Sequence, residues 1–333
     1  RSSDLVIGSG PSGLAVANQL NQKGHEVTVY EKSSHIGGLL RFGIPDFKLN
    51  KNIIDRRLKL MEAEGVKFVV NTEIGKDVKG KDILKDYDAV CVAIGSQVPR
   101  NLPVEGRELK GVYYAMEYLT AQNKLIAKES VPADQVIDAK GKNVLVIGGG
   151  DTGSDCIGTA NRQGAANVLQ IEILPKPAKL EEIENPWPNP FPVVLKTSSS
   201  HMEGCERRWA LNTKRFIGED GKLTAVELVE VAWEKDENGR HVMKEVGPSE
   251  IHKVDLVFLA LGFVHPIQEG LLQELDIKTD DVRRNVMTDK NRATNVSKVF
   301  GAGDCVSGQS LVVTSIASGR KTAQHINEFL SSK

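Results

Sequence analysis

Three glycines, Gly8, Gly10 and Gly13, stand in a Gly-x-Gly-x-x-Gly spacing, and the same spacing returns at Gly148, Gly150 and Gly153. Each set is followed, about 20 residues on as in dinucleotide sites, by an acid: Glu31 in the first copy and Glu172 in the second. These residue types suit one chemistry. The first glycine makes a tight turn. The second has no side chain to keep a pyrophosphate off the backbone, and the third lets a helix pack on its strand. A helix opening at such a turn offers free N–H groups and a partial positive charge to phosphates. Pro11 and Ser12 lie within the first turn, and Asp151 and Thr152 within the second. The acid accepts hydrogen bonds from ribose hydroxyls. Two complete sets imply two dinucleotides, and the obvious pair is FAD and a nicotinamide nucleotide.

The positioning elements are legible around these turns. Leu5, Val6 and Ile7 read as a buried parallel strand, followed by a helix to about Lys23 that stops at Gly24, then a strand over 27–30. The second copy repeats this with a strand over 143–147, a helix to about Gln163 stopped by Gly164, and a strand over 167–173. The loop after Glu31 carries Lys32, Gly37, Gly38 and Leu39, suited to backbone approach by a cofactor. Helical spacing covers 52–65, a strand follows over 66–70, and an extended piece over 73–78 sets Val78 against an adenine. An apolar strand over 87–94 ends at Gly95, and another over 254–260 ends at Gly262; both are places where a sheet's carboxyl edge meets a ligand. Segment 97–112 reads as a linker, 184–194 as a proline-rich extended loop, and 223–246 as a β-hairpin.

Near the end, a strand over 298–300 leads into Gly301-Ala-Gly303-Asp304 and a long amphipathic helix over 311–330. Asp304 suits a flavin's ribityl chain. The helix start at Ser310, Leu311 and Val312 would direct its dipole at the flavin's pyrimidine end. Asp151 has two readings: a cap on its helix N-terminus, or a carboxylate turned toward the nicotinamide or flavin. Glu172 favours NADH, because a carboxylate pairs with a free 2′-hydroxyl and repels a 2′-phosphate, and no arginine stands in the residues that directly follow it. Lys176 and Lys179 leave NADPH open.

The fold class expected is α/β, with two Rossmann-like dinucleotide-binding domains and the nicotinamide domain inserted in the flavin domain. The 333 residues divide into an FAD-binding domain at 1–108 and 286–333 and an NAD(P)-binding domain at 109–285. A net charge of −1 gives no footprint for nucleic acid or an anionic membrane. The longest apolar runs are far too short for a membrane span, no signal peptide is visible, and the start resembles a cut end. The four cysteines are scattered without a Cys-x-x-Cys pair, which disfavours a dithiol centre, an iron–sulfur cluster or a zinc site in this stretch and suits the cytoplasm. No metal site is expected.

The segments Gly37-Gly-Leu-Leu-Arg-Phe-Gly-Ile-Pro45, Gly148-Gly-Gly-Asp-Thr-Gly-Ser-Asp155, Asn185-Pro-Trp-Pro and Thr197-Ser-Ser-Ser-His-Met-Glu-Gly-Cys-Glu-Arg207 resemble the glutamate synthase small (β) subunits, over nearly the whole chain. The resemblance implies hydride transfer from NAD(P)H to FAD. Electrons would then pass through iron–sulfur clusters to a large subunit that makes glutamate from glutamine and 2-oxoglutarate. It would place FAD on Gly8, Gly10, Gly13, Glu31, Gly38, Val78 and Asp304, and the nicotinamide nucleotide on Gly148, Gly150, Gly153 and Glu172. The cysteine-rich cluster domain of those subunits is missing from this stretch. Hydride transfer needs stacking and exclusion of water, so no acid or base residue is expected. Two other readings are a ferredoxin reductase-like NADPH-dependent flavoprotein and a nucleotide-binding module without turnover.

Overall fold

The computed structural model describes residues 2–179 and 194–332. Its first segment runs β1 (Ser3–Ile7), α1 (Pro11–Gln22), β2 (Glu26–Tyr30), α2 (Leu39–Phe42), α3 (Lys51–Ala63), β3 (Lys67–Val69), α4 (Gly80–Asp86), β4 (Ala89–Val92) and β5 (Val98–Pro99). The middle of the chain forms β6 (Val112–Tyr114), α5 (Ala115–Ile126), β7 (Asn143–Ile147), α6 (Asp151–Gln163), β8 (Asn167–Ile171), α7 (Ser199–Met202), β9 (Glu206–Arg208), β10 (Leu211–Glu219), β11 (Lys222–Lys235), β12 (His241–Lys253) and β13 (Leu256–Leu259). The last segment adds β14 (Phe263–His265), α8 (Leu271–Glu274), β15 (Val299–Gly301), α9 (Asp304–Ser307) and α10 (Val312–Ser331).

Two compact units result: Arg1–Arg100 with Gly262–Lys333, and Asn101–Leu261 between them in the chain. In the first unit five parallel strands run in the order β15-β4-β1-β2-β3. Central strands such as β4 are apolar throughout because helices cover both faces of a parallel sheet. Val6, Val29, Val16, Leu20 and Met61 fill one layer, joined by Ile326 of α10. The contact of α10 with α1 is close at Gly319, where a Cβ would overlap the Ser12 carbonyl oxygen.

The second unit repeats the design with parallel strands in the order β6-β13-β7-β8-β9. Tyr118 stacks on Phe258 at 4.0 Å between ring centroids, and its hydroxyl donates to Gln163 Oε1 at 2.9 Å. A three-stranded antiparallel sheet, β10-β11-β12, is added to it. Only a hairpin was expected there. The extra strand β10 is held by apolar residues, Leu211 and Phe216, packed with Leu228 and Leu145. The segment 197–207 holds α7 and most of β9, elements too short to leave a periodicity. The proline-rich stretch 184–194 falls, but for Val194, outside the described residues.

The unit boundaries differ from those expected at 108/109 and 285/286. Segment 101–111 belongs to the second unit, because Glu105 bridges Arg215, Lys110 bridges Lys222 and Gly106 packs against Phe216. Residues after Gly262 belong to the first, because β14 pairs with β5 and Leu271, Leu272, Leu275 and Ile277 enter the core around Leu5 and Ile7.

Candidate functional site

The two glycine turns are built alike, each within its own unit. A Cβ on Gly13 would overlap the Gly8 carbonyl oxygen, and one on Gly153 would overlap that of Gly148. Gly8 lies equally tight on the Ala93 carbonyl, and Gly148 on that of Ala260; both have positive φ, 101° and 123°. The middle glycine is different. Around Gly10 and Gly150, apart from the directly adjoining backbone, no heavy atom lies within 4 Å of the place a Cβ would take. Each is the N-cap of a helix, α1 or α6, and neither helix has a side-chain cap bond. Two helix N-termini therefore keep their N–H groups free at a backbone surface open to an anion. Pro11 starts α1 without losing a hydrogen bond, since that N–H has no partner inside the helix anyway. Asp151 is the first residue of α6, exposed, and the N-cap position belongs to Gly150; of its two readings, capping by a side-chain bond is not realised.

In the first unit Glu31 is buried, and its carboxylate closes the turn on itself. It accepts from Ser9 N–H at 3.1 Å, Ser9 Oγ–H at 2.5 Å and Ser33 N–H at 2.8 Å. Gly37 N–H donates in turn to Ser9 Oγ at 3.0 Å, and a Cβ on Gly38 would stand 2.9 Å from Gly10 Cα. The Gly37–Gly38 loop is thus brought beside Gly10, and Leu39, exposed, begins α2 directly after it. Exposed Lys32 donates to Gln97 Oε1, near Gly95, whose Cβ position is open. Val78 packs with the core around Ile74 and Leu271, half-buried, and bridges Ile74.

The end of the chain adds a third piece to this unit. Gly303, at φ 75°, lies against Ser12 of α1. Asp304 accepts from Ser310 Oγ at 2.7 Å and Ser315 Oγ at 2.8 Å. Helix α10 then opens at Leu311 and Val312 with no side-chain cap bond, and Leu311, Val312 and Val313 are all exposed. Gly262, in the same unit, packs on Gln309, whose Oε1 accepts from Phe263 N–H at 2.9 Å. An uncapped helix end beside apolar side chains suits a planar ring that gains negative charge.

In the second unit Glu172 lies over Gly149, where a Cβ would overlap its carboxylate. An arginine does stand beside it: Arg207 of β9, at 3.8 Å from Glu172. It comes from the neighbouring strand and not from the residues that follow Glu172, so the local reading missed it. The one available signal was the segment 197–207 itself, which the resemblance marked as distinctive.

The model of the pyridine nucleotide-disulphide oxidoreductase family matches residues 3–319. The chain belongs to that family. It is 44% identical over 98% of its length to the glutamate synthase [NADPH] small chain of Mycobacterium tuberculosis, of which it covers 66%. It is 43% identical, again over 98%, to the glutamate synthase [NADH] of Saccharomyces cerevisiae, of which it covers 15%. The chain therefore spans about two thirds of that small chain and a small part of the yeast protein. Among solved structures, Mycobacterium tuberculosis FprA in complex with NADPH superposes with a TM-score of 0.78 over 99% of this chain and 85% of that one, at 19% identity, a likeness of fold.

The family's name mentions disulphides, but this chain's thiols are not poised for exchange. All four cysteines are free. Burial pushes the Cys205 and Cys305 thiols up to about 11, and raises Cys91 and Cys156 as well. A thiol without thiolate at neutral pH is a poor nucleophile. Among the described residues no helix is long and apolar enough to cross a membrane, and no group of three or more His, Cys, Asp or Glu is placed to hold a metal ion.

Proposed function

We propose that the chain takes a hydride from NADH, with NADPH as the poorer donor, onto FAD, and supplies electrons to a glutamate synthase large subunit, directly or through an iron–sulfur domain. There they would serve glutamate synthesis from glutamine and 2-oxoglutarate. The observation that carries this reading is the pair of open middle glycines, Gly10 and Gly150, each between two glycines with no room for a side chain. A glycine kept where a side chain would fit leaves its backbone free for a ligand.

The residues of the first unit fit FAD. Gly8, Gly10, Pro11, Ser12, Gly13, Gly37, Gly38 and Leu39 would surround its pyrophosphate, with Glu31 and Lys32 at the ribose and Val78 toward the adenine. Gly95, Gly303, Asp304, Ser310, Leu311 and Val312 would face the ribityl chain and the ring. When bound, FAD supplies acceptance of the hydride. The protein's part is to orient, to exclude water and to offer the α10 N-terminus to developing charge. Gly148, Gly150, Asp151, Thr152, Gly153 and Glu172 would serve the nicotinamide nucleotide.

The preference for NADH rests on Glu172 at the second turn. Relatives named for NADPH and for NADH match this chain almost equally, so overall likeness does not separate the two. Anaerobic titration of the FAD-reconstituted protein tests the reading. The expected result is stoichiometric loss of flavin absorbance with NADH and a slower loss with NADPH. A protein that stays colourless after reconstitution, or a flavin that NADH does not bleach, would overturn it and favour a nucleotide-binding module without turnover.

A further inference from the structure

Glu172 and Arg207 oppose one another at the second turn, and the arginine is the more firmly held. Its Nε–H donates to Gln170 Oε1 at 3.0 Å and its Nη1 to the Lys196 carbonyl at 3.1 Å. The guanidinium lies 5.0 Å from the Trp209 ring centroid, over a ring that Lys176 also approaches at 5.0 Å. Gln170 is itself fixed. It is fully buried on β8, its Nε2 donates to the Gly148 carbonyl at 2.9 Å, and its Oε1 also accepts from His201. The Ser198 N–H donates to His201 Nδ1 at 3.0 Å, which leaves the ring proton on Nε2 to meet Gln170 at 3.1 Å. One buried amide thus ties the glycine turn, the histidine and the arginine together. The arginine's free edge, Nη2, faces Glu172.

We propose that Arg207 is a specificity-determining residue that offsets Glu172 and lets the second site accept a 2′-phosphate. This rests on the reading of that site as the nicotinamide nucleotide's. Glu172 alone would repel a dianionic phosphate. A pre-oriented guanidinium beside it attracts the same group, and a planar fork holds phosphate better than a point charge does. Lys176 adds a second positive charge over the same indole. The pair makes the preference for NADH shallow, and each partner sets one side of it. Arg207 favours the phosphate and Glu172 favours the hydroxyl.

Binding of ADP-ribose and of 2′-phospho-ADP-ribose to the full chain, measured by calorimetry, separates the contributions because the ligands differ only in the phosphate. Arg207→Gln is expected to weaken 2′-phospho-ADP-ribose by roughly tenfold or more while leaving ADP-ribose within about threefold, as loss of a charge-assisted contact predicts. Arg207→Lys recovers part of that loss, since it returns the charge without the fork. Glu172→Gln, which leaves the arginine's anchors in place, shifts the ratio the opposite way. Equal losses for both ligands in Arg207→Gln, or an unchanged ratio in Glu172→Gln, overturn the assignment and leave the nucleotide site standing. If the parent protein binds neither ligand, the site reading falls and the assignment falls with it.

Discussion

Gly13 sits so close over Gly8 that a single added carbon would overlap the carbonyl oxygen of its partner, while Gly10 between them faces open space. The two kinds of glycine therefore answer to different demands, and substitution separates them. Gly13→Ala is expected to cost about 2–4 kcal/mol of folding stability, in the range for steric insertion beside rigid backbone. Gly10→Ala, whose φ of −68° suits any residue, leaves the melting temperature nearly unchanged. It lowers FAD affinity by roughly tenfold or more, as loss of close backbone approach implies. Thermal melts and flavin content per chain check both halves.

The same contrast applies in the second unit. Gly150→Ala is expected to leave FAD content unchanged and to weaken ADP-ribose binding by roughly tenfold. Gly153→Ala destabilises the fold, because its Cβ would overlap the Gly148 carbonyl oxygen. A calorimetric binding curve beside a denaturation curve distinguishes the two results.

Asp4 gives the fold a pH dependence. It is 1% exposed on β1, and burial pushes its carboxyl up to about 6, an effect that Ser2 and His25 reduce but do not cancel. An unfolded chain releases this proton near pH ~4. The folded protein keeps it until about pH 6. The folded state thus holds the extra proton between those values, and stability falls as pH rises through that window. Asp4→Asn is expected to exceed the parent by about 1–3 kcal/mol above pH ~6 and to match it near pH ~4. Urea denaturation across that range gives the difference.

Gln170 is expected to be the most sensitive polar position of the second unit. Gln170→Leu leaves the Gly148 carbonyl, His201 and Arg207 each short of a partner in a buried setting, and should cost about 2–4 kcal/mol. It should also widen the discrimination against the 2′-phosphate of ADP-ribose, because Arg207 loses the anchor that Gln170 Oε1 provides. Denaturation and calorimetry read the two effects separately.

Thiol labelling should be slow. Cys91, Cys156 and Cys305 are buried and Cys205 is half-buried with its thiol raised, so the native protein is expected to react at one cysteine at most, and slowly. All four should react on unfolding. Fast labelling of two or more in the native state would contradict the structure.

How much of this was legible in the sequence follows from the range of each signal. Strand, glycine turn, helix and acid lie within about 30 residues of one another, so each βαβ copy could be read locally, caps and stop glycines included. Glu31, just after β2, and Glu172, just after β8, could be placed at the strand ends in this way. Elements shorter than their own period, such as α7 and β9, left no pattern to read.

The chain by itself determined two repeated glycine turns, the apolar strands that carry them and the acids at the strand ends, because neighbouring residues encode turn geometry and burial period. Only the tertiary structure decided what each acid faces. Glu31 was folded back onto Ser9, and Glu172 was set against Arg207 because β9 lies parallel beside β8. Sheet order, which brings distant segments side by side, is fixed by packing of the whole unit and not by any single stretch. That is why the charge of the second site could not be summed from the residues adjoining its acid.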